Sequence, residues 1–268
     1  MAPAPSATSV PSNQPPVTAL VRRPSPRLAD GIVTHIERAP VDVALAEAQW
    51  HAYVHTLAAE GWAIEEVPPA DDCPDSVFIE DTMVVFGHTA VIAHPGALAR
   101  RGEVPAAEHA VAALGYTLRH ITAPGTLDGG DVLKVGTTVY VGNGGRTNAE
   151  GIAQLRSFLE PLGATVVAVP LTKVLHLKSA VTALPDGTII GYAPLVDDLS
   201  VFPSFVAMPE EGGAHVVLLG GNRVLMAADC PASADLLRAR GLEPVLVDIG
   251  EYVKLEGCVT CLSVRLRG

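Results

Sequence analysis

Residues 116–142, YTLRHITAPGTLDGGDVLKVGTTVYVG, contain three short β-rich runs in a fixed order. A loop that carries Pro124 and Gly125 separates the first run from the second, and a turn at Gly136 joins the second to the third. Short runs rich in β-branched and aromatic residues and bounded by Gly or Pro are typical of strands. The stretch therefore predicts a unit of three strands, and further copies of it can be sought along the chain.

Four more copies of this unit follow the same order of run, loop, run, turn and run. They are WAIEEVPP, SVFIEDTMVVFG and TAVIA from residue 62; ATVVAVPL, LHLKSAVTAL and TIIGYA from residue 164; FVAMP, HVVLLGG and RVLMAA from residue 205; and PVLVDI, EYVKLEG and CVTCLSVRL from residue 244. A repeat of roughly 40 to 50 residues predicts modules packed in series or in a ring. An ordinary α/β sheet without symmetry is the alternative.

Helical stretches separate most of the units. They cover residues 43–61, 104–115, 149–163 and 233–241, with anchor glycines at Gly61, Gly115, Gly163 and Gly241. Glycine is the residue expected just after the last turn of a helix. The connection between the third and fourth units has no obvious helix.

Closure of the units into a ring has a chemical consequence. The loops that precede the second run of each unit would then face a common axis. These loops carry Asp75, Glu80 and Asp81 in the first unit, Asp128 and Asp131 in the second, His176 in the third, and Cys258 and Cys261 in the fifth. A ring therefore predicts that acid, imidazole and thiol groups meet at one end of the axis.

Length and charge limit the classes of partner. The chain has 268 residues, is 49% hydrophobic and carries a formal net charge of −11. This length allows one sizeable core, so a single domain is the default. The negative charge, the lack of any Lys/Arg cluster of five or more and an aromatic content of 4% argue against nucleic acid and anionic membranes as partners. A cationic small molecule suits such a protein better.

Cysteine content and the terminal segments indicate the compartment and the domain bounds. Cys73, Cys230, Cys258 and Cys261 are too few for a disulfide scaffold, which favours the reducing cytoplasm. No apolar run reaches the roughly 18 to 20 residues that span a bilayer, and no signal segment follows the Arg pair at residues 22–23. We expect residues 1–16, rich in Pro, Ser and Ala, to form a flexible tail and residues 17–268 to form one catalytic domain.

The loop residues fit chemistry on a guanidinium group. A cysteine attacks as its thiolate, which needs a cationic or hydrogen-bonding neighbour to form at neutral pH, and a cationic substrate can supply that neighbour. Carboxylates grip a guanidinium through parallel charge-assisted hydrogen bonds. An imidazole such as that of His176 can then protonate a leaving amine and activate water.

Each of these features also has a structural interpretation. Cys258 and Cys261 match half of a zinc site or a redox pair, but no second Cys-x-x-Cys or His-x-His pair accompanies them. His176 taken alone fits a packed strand residue, and the acids of residues 75–81 fit a solvated loop. The place of His176 in the repeat, and the apolar residues 77–79 among the acids, favour the chemical interpretation. The glycine-rich turns at residues 142–145 and 220–222 do not have the spacing of a nucleotide loop, so no nucleotide is assigned.

Six segments together resemble one known family. They are PDSVFIED (74–81), HPGALARRGE (94–103), APGTLDGGDVL (123–133), GRTNAEG (145–151), KVLHLK (173–178) and GCVTCLSVRL (257–266). In order and spacing they are similar to the dimethylarginine dimethylaminohydrolases, members of the guanidine-modifying pentein superfamily. The resemblance runs from about residue 21 to the C-terminus. It implies an α/β fold, a five-bladed pseudo-symmetric propeller of ββαβ units.

The resemblance also implies roles for particular residues. Cys261 matches the nucleophile, His176 the general acid and base, and Asp128 the acid that contacts the guanidinium, while Cys258 becomes a bystander. Some family members have Glu at the position of Asp128, a difference of one methylene in reach. The residues that match the substrate pocket are Asp81, Glu80, Asp75, Phe78, Arg100, Arg146, Ile32 and Leu255. Among these, Asp81 is the second guanidinium carboxylate, the two arginines hold the substrate carboxylate, and carbonyls near Ile32 and Leu255 meet the α-amino group.

The reaction that the resemblance implies is hydrolysis of N-omega-methylated free arginine. Attack of Cys261 on the guanidinium carbon gives a covalent thiouronium, and water then releases citrulline, with no metal and no organic cofactor. An arginine deiminase-like hydrolase of another guanidine, a zinc-dependent hydrolase and a non-catalytic guanidine-binding module are the alternatives. Whether the protein forms a homodimer is left open.

Overall fold

The computed structural model describes residues 17–267, and the tail predicted for residues 1–16 lies outside this range. Within the described residues, fifteen strands form five sheets of three strands each. In chain order they are β1 (Thr18–Val21), β2 (Ala63–Glu66), β3 (Met83–Phe86), β4 (Thr89–Ile92), β5 (Thr117–His120), β6 (Val132–Val135), β7 (Thr138–Asn143), β8 (Thr165–Pro170), β9 (Val181–Ala183), β10 (Ile189–Gly191), β11 (Phe205–Ala207), β12 (Val217–Gly220), β13 (Arg223–Ala227), β14 (Glu243–Val247) and β15 (Val264–Leu266).

All five sheets have the same topology. In the sheet of β3, β4 and β5, the first two strands are antiparallel and the third runs parallel to the second. The sheets β6-β7-β8, β9-β10-β11 and β12-β13-β14 repeat this pattern. The fifth sheet, β15-β1-β2, has it as well, with strands from both ends of the chain.

The sheets surround a central cavity of about 530 Å³. The first strand of each sheet lines this axial cavity, namely β3, β6, β9, β12 and β15. Five similar sheets around one cavity form a five-bladed propeller, so the predicted ring is confirmed. The alternative of a single unsymmetrical sheet is wrong.

The sequence unit and the structural blade begin at different strands. The unit at residues 62–93 contains β2, β3 and β4, but β2 pairs with β1, whereas β3 and β4 share a sheet with β5 of the next unit. Parallel strands need a long crossover connection, usually a helix, so the strand that follows each helix joins the preceding blade. The true unit is therefore shifted by one strand from the one seen in the sequence.

One strand that the sequence predicts is not a strand in the structure. Most of EYVKLEG, residues 251–257, lies in the short helix α5 (Gly250–Val253) and the turn that follows it. Tyr252 and Leu255 are buried and stand three residues apart, which is helical spacing. The middle strand of the fifth blade is instead β1, from the opposite end of the chain.

Four longer helices link the strands where the sequence predicts them. They are α1 (Val43–Ala59), α2 (Val104–Ala113), α3 (Ala149–Leu159) and α4 (Pro231–Ala239). The Asp42 carboxylate accepts from Leu45 N at 3.0 Å and caps α1, and Asn148 caps α3 in the same way. The anchor glycines have φ between +81° and +89°, which only glycine adopts without strain. The connection without a helix contains only two short 3-10 turns.

The core is divided among the blades. Five clusters of buried apolar residues each join strands of neighbouring blades, and the largest includes Trp50, Tyr53 and Leu57 of α1. The longest described helix, α1, has 17 residues. No helix within residues 17–267 has both the length and the apolar character needed to cross a membrane.

Candidate active site

The groups that the repeat brings together lie just before the first strand of each blade. Asp81 precedes β3, Asp128 precedes β6, His176 precedes β9 and Cys261 precedes β15. A small cavity of about 20 Å³, the candidate site, is lined by residues of these segments and their neighbours. Nine predicted site residues line it: Cys261, His176, Asp81, Asp75, Phe78, Arg100, Arg146, Ile32 and Leu255. Asp128 is fully buried behind His176.

Cys261 lies at the end of a tight turn. Its backbone N donates to the carbonyl of Cys258 at 3.0 Å, and its own carbonyl accepts from Glu80 N at 3.2 Å. The buried Tyr53 hydroxyl holds the same segment, because it donates to Val259 O at 2.9 Å and contacts Ser263 Oγ at 2.8 Å. Bonds from α1 and from the loop before β3 therefore fix the position of the thiol.

The two sulfurs of this turn are in contact. Cys258 Sγ and Cys261 Sγ are 3.4 Å apart, and both residues are buried. A thiolate at Cys258 accepts the S–H of Cys261, so this contact lowers the pKa of Cys258 and raises the pKa of Cys261. Without a ligand, the Cys261 sulfur therefore holds its proton, and an adjacent cation is needed to ionise it.

His176 lies between two carboxylates. Its Nε2 is 3.1 Å from Asp128 Oδ2, and its Nδ1 is 3.8 Å from Asp81 Oδ1. Burial alone would lower the pKa of His176, but Asp81, Asp131 and Asp128 stabilise the imidazolium and raise it to about 9. At neutral pH His176 is thus a proton donor surrounded by acceptors.

Asp128 is held by Gly96 and Thr147. Thr147 also contacts a second acid, Asp131, to which the sequence assigns no role of its own. Gly96 N donates to Asp128 Oδ1 at 3.0 Å. The Thr147 hydroxyl accepts from Asp128 N at 3.1 Å and donates to Asp131 Oδ2 at 2.6 Å. Asp131 Oδ1 in turn accepts from Leu177 N, next to His176, at 3.1 Å. Asp131 stands in the same LDGGD segment as Asp128, but only the fold shows that it braces the histidine loop.

Asp81 is held as an anion. Arg100 donates to its Oδ2 at 2.5 Å, and Gly130 N donates to its Oδ1 at 2.7 Å. Burial opposes its ionisation, yet His176, Arg100 and the Gly130 amide hold the pKa of Asp81 well below its usual range. A methyl group on Gly130 would lie 2.6 Å from Asp81 Oδ1 and 2.7 Å from His176 Nδ1, so only glycine fits here.

The two predicted carboxylate-binding arginines differ in their contacts. The guanidinium of Arg100 bonds Asp81, Glu103 at 3.0 and 2.7 Å, and the carbonyls of Asp75 and Phe78. Arg146 makes one long contact to Asp128 Oδ2, at 3.4 Å. Most of the donors of Arg100 are therefore engaged within the protein, whereas Arg146 keeps donors for a ligand.

Glu80 is the predicted pocket residue that the structure places elsewhere. Its side chain lines the axial cavity and not the candidate site. Glu80 Oε1 forms ion pairs with Lys178, at 2.5 Å, and with Arg265. Asp81 is the next residue of the same 3-10 turn, Ile79–Thr82. Successive side chains of such a turn point in different directions, and that of Asp81 lines the candidate site. Glu80 therefore lies outside the candidate site in this structure, and its contact with substrate stays a prediction.

A loop covers the outer side of the candidate site. Asp75 accepts from Ile32 N at 3.1 Å, and Glu256 accepts from Thr34 N at 2.6 Å and His35 N at 2.9 Å. Burial raises the pKa of Asp75. A cavity of about 20 Å³ holds little more than one water molecule, so an amino acid needs more room than the site has in this structure.

The same residues include a set of potential metal ligands. Within the described residues, donor atoms of Asp81, Asp128 and His176 lie within 4.8 Å of one another. Carboxylates with an imidazole can bind a divalent cation. Here Arg100 and Arg146 already place positive charge beside both carboxylates, and this charge repels a divalent metal ion more strongly than a singly charged guanidinium.

Known proteins share this fold and sequence. The arginine deiminase family model matches residues 35–219. The chain is 67% identical over 249 residues to the N(G),N(G)-dimethylarginine dimethylaminohydrolase of Streptomyces coelicolor, over 93% of this chain and 96% of that protein. A dimethylarginine dimethylaminohydrolase His-to-Gly variant, as its adduct with S-methyl-L-thiocitrulline, is 33% identical with a TM-score of 0.87 over 93% of this chain and 99% of that one. The Cys-to-Ser variant from Pseudomonas aeruginosa, complexed with citrulline, is 33% identical with a TM-score of 0.86 over 93% and 98%.

Proposed function

Because this chain belongs to the dimethylarginine dimethylaminohydrolase family, we propose that its candidate site hydrolyses N-omega-methylated free arginine to citrulline and a methylamine, with Cys261 as the nucleophile. The observation that carries this proposal is the position of His176 between Asp81 and Asp128, beside the same cavity as the Cys261 thiol. This arrangement provides two anions for a guanidinium, one proton donor and one nucleophile.

Substrate binding follows from the charges. The Asp81 carboxylate, which lines the cavity, accepts hydrogen bonds from the guanidinium. Asp128 lies behind His176 and adds its negative charge to the guanidinium site. Arg146 binds the substrate carboxylate, because most of its donors are not engaged in the protein. Arg100 acts as a positioning residue for Asp81. Carbonyls near Ile32 and Leu255 receive the α-amino group.

The first chemical step forms the covalent intermediate. A bound guanidinium beside Cys261 stabilises the thiolate and so lowers the pKa of this cysteine, whose proton is released to solvent because His176 is already protonated. The sulfur attacks the guanidinium carbon, and His176, protonated at neutral pH, gives its proton to the departing amine. An S-alkylthiouronium remains on Cys261.

In the second step His176 acts as a base, whereas in the first it acts as an acid. His176 is neutral after the amine has left, so it can take a proton from a water molecule that attacks the thiouronium carbon. The C–S bond then breaks, citrulline leaves and the thiol is restored. A relative's His-to-Gly variant forms an adduct with S-methyl-L-thiocitrulline, and this supports a covalent path in the family.

A substrate panel with amine identification tests the proposal. The protein is incubated with asymmetric dimethylarginine, monomethylarginine or arginine, with and without a chelator, and citrulline and the released amine are measured. We expect citrulline with dimethylamine or methylamine, unchanged by the chelator and absent for Cys261→Ser. Ammonia from arginine as the dominant product would favour the deiminase alternative, which the family-model match keeps open. Loss of turnover with the chelator would favour a metal-dependent hydrolase.

The thiol chemistry also suits a reducing compartment. All four cysteines are free, and a cysteine nucleophile is best preserved where thiols stay reduced. We therefore place the reaction in the cytoplasm.

A further inference from the structure

Cys258 and Cys261 lie close enough to form a disulfide, but both are free thiols in this structure. The sulfurs are 3.4 Å apart, in van der Waals contact. The hydrogen bond from Cys261 N to Cys258 O closes a four-residue turn, which keeps the two Cα atoms within about 7 Å. Disulfides bridge Cα separations of roughly 4.4 to 6.8 Å, a range that such a turn allows.

The other two cysteines lack this arrangement. Within residues 17–267, Cys258–Cys261 is the sulfur–sulfur contact that the structure records. Cys230 contacts a carboxylate, Asp229, and burial with that negative charge raises the pKa of its thiol to about 12. Burial also raises the pKa of Cys73. Neither thiol is disposed to react at neutral pH.

The pair can be reached from two sides. Cys261 lines the candidate site, whereas Cys258 lines a separate cavity of about 460 Å³ on the other side of Gly257. His215, which precedes β12 in the fourth blade, lines this second cavity and favours a thiolate at Cys258. Cys258 is only 3% exposed, and this second cavity gives a small oxidant an approach to it that does not pass through the candidate site.

We propose that Cys258 and Cys261 are a site of reversible oxidation by peroxides, at which a disulfide joins them and blocks the nucleophile. One thiolate attacks the peroxide O–O bond and becomes a sulfenic acid, and the peroxide leaves as an alcohol or water. The second sulfur attacks the sulfenic sulfur, the S–S bond forms, and water leaves with the remaining thiol proton. The two cysteines lose two electrons and the peroxide gains them.

The disulfide has two consequences. It removes the Cys261 thiolate, so turnover stops; this consequence rests on the proposed function, whereas formation of the bond does not. It also protects Cys261, because a sulfenic acid without a neighbouring thiol oxidises further to sulfinic acid, which thiols do not reduce. Cys258, a bystander in the hydrolysis, is thus the resolving thiol of the oxidation.

The sequence provides a direct assay. Lys254 and Arg265 bound a tryptic peptide, residues 255–265, that contains both cysteines and neither of the others. Wild type, Cys258→Ser and the control Cys230→Ser are treated with hydrogen peroxide, alkylated without reduction, digested and analysed by mass spectrometry. Parallel samples receive dithiothreitol and are assayed for citrulline.

We expect wild type and Cys230→Ser to give a peptide that has lost two hydrogens and resists alkylation, with activity lost on oxidation and restored by dithiothreitol. Cys258→Ser should instead gain oxygen atoms on Cys261 and stay inactive after dithiothreitol. Alkylation of both cysteines in peroxide-treated wild type, or sulfinic acid there in place of the disulfide, would overturn the proposal. The peptide readout needs neither a variant nor activity, so a disulfide in a protein that makes no citrulline would count against the proposed function alone.

Discussion

The protonation of His176 depends on the single residues around it. Buried imidazoles are ordinarily neutral at neutral pH, because burial disfavours the charged form. Here Asp81, Asp131 and Asp128 outweigh burial and raise the pKa of His176 to about 9. A proton donor for the amine is therefore present across the physiological pH range and is lost only as the pH rises through about 9.

Replacement of Asp128 by Asn should lower the pKa of His176. The change removes a negative charge 3.1 Å from Nε2, while the Asn side-chain carbonyl can still accept from Gly96 N. An anion stabilises the imidazolium, so its loss should move the alkaline limb of the kcat profile to lower pH by about one unit or more. Asp186→Asn, at an exposed turn, is the matched control. An unmoved limb in a folded Asp128→Asn protein would show that Asp128 does not govern this proton.

Arg146 and Arg100 should respond differently to the same substitution. Arg146→Ala should mainly raise KM for methylarginine and leave hydrolysis of methylguanidine, which has no carboxylate, nearly unchanged. Equal losses for the two substrates would mean that Arg146 has a structural role.

Arg100→Ala should instead reduce the stability of the fold. It leaves the buried carboxylates of Asp81 and Glu103 without their partner. Removing one member of a buried ion pair costs roughly 3 to 5 kcal/mol. Urea unfolding measures this loss, with Arg146→Ala as the comparison. Equal stability of the two variants, with a raised KM for Arg100→Ala, would restore the carboxylate-binding role implied by the family resemblance.

At the scale of helices and strands, the sequence predicts the elements that depend on local interactions. The four long helices and their terminal glycines follow from composition and backbone freedom, and both are local properties. The run at residues 251–257 was predicted wrongly because a short apolar segment fits a strand and a helical turn equally well. β1 was missed because its partners, β2 and β15, are distant in sequence.

The candidate site also contains residues that the sequence predicts and contacts that it does not. The ring predicts that the loops carrying Cys261, His176, Asp81 and Asp128 meet, and the family resemblance singles out these four among the acids and thiols of those loops. The brace formed by Asp131 and Thr147, the ion pairs of Arg100 and the axial position of Glu80 could not be predicted. These depend on side-chain directions that only the packed blades determine.

The loop over the candidate site should be loosened by Glu256→Ala. Glu256 accepts from the amides of Thr34 and His35, and its own backbone has a φ of 61°, a strained conformation for a residue other than glycine. Hydrogen bonds to charged groups contribute about 1.5 to 3 kcal/mol, so the two amides should exchange roughly 10 to 100 times faster. Hydrogen exchange with mass spectrometry measures this, with Glu66→Ala, which loses an exposed ion pair, as the control. Unchanged exchange at residues 34–35 would show that Glu256 does not hold the loop closed.

At the scale of the whole molecule, the ring closes through one blade. β1 lies between β15 and β2, so the fifth sheet joins the beginning of the described chain to its end. That blade also carries Cys261, three residues before β15. The blade that closes the propeller therefore also positions Cys261, the proposed nucleophile.

Two N-terminal truncations should separate this closing strand from the tail that precedes it. Removal of residues 1–16 leaves every strand of the fifth sheet in place, so we expect wild-type activity and thermal midpoint. Removal of residues 1–21 takes away β1, with the fully buried Ala19, Leu20 and Val21, and leaves β15 and β2 without the strand between them. Each large apolar side chain contributes about 1.5 to 3 kcal/mol on burial, against a total stability of roughly 5 to 15 kcal/mol for a domain.

The longer truncation should therefore leave no cooperative thermal unfolding transition and no citrulline production, whereas the shorter one keeps both. Circular dichroism and the citrulline assay on the two purified proteins measure these outcomes side by side. A folded and active protein that lacks residues 1–21 would mean that β15 and β2 can close the ring without β1. In that case the position of Cys261 would depend on the bonds of its turn to Tyr53 and Glu80 alone.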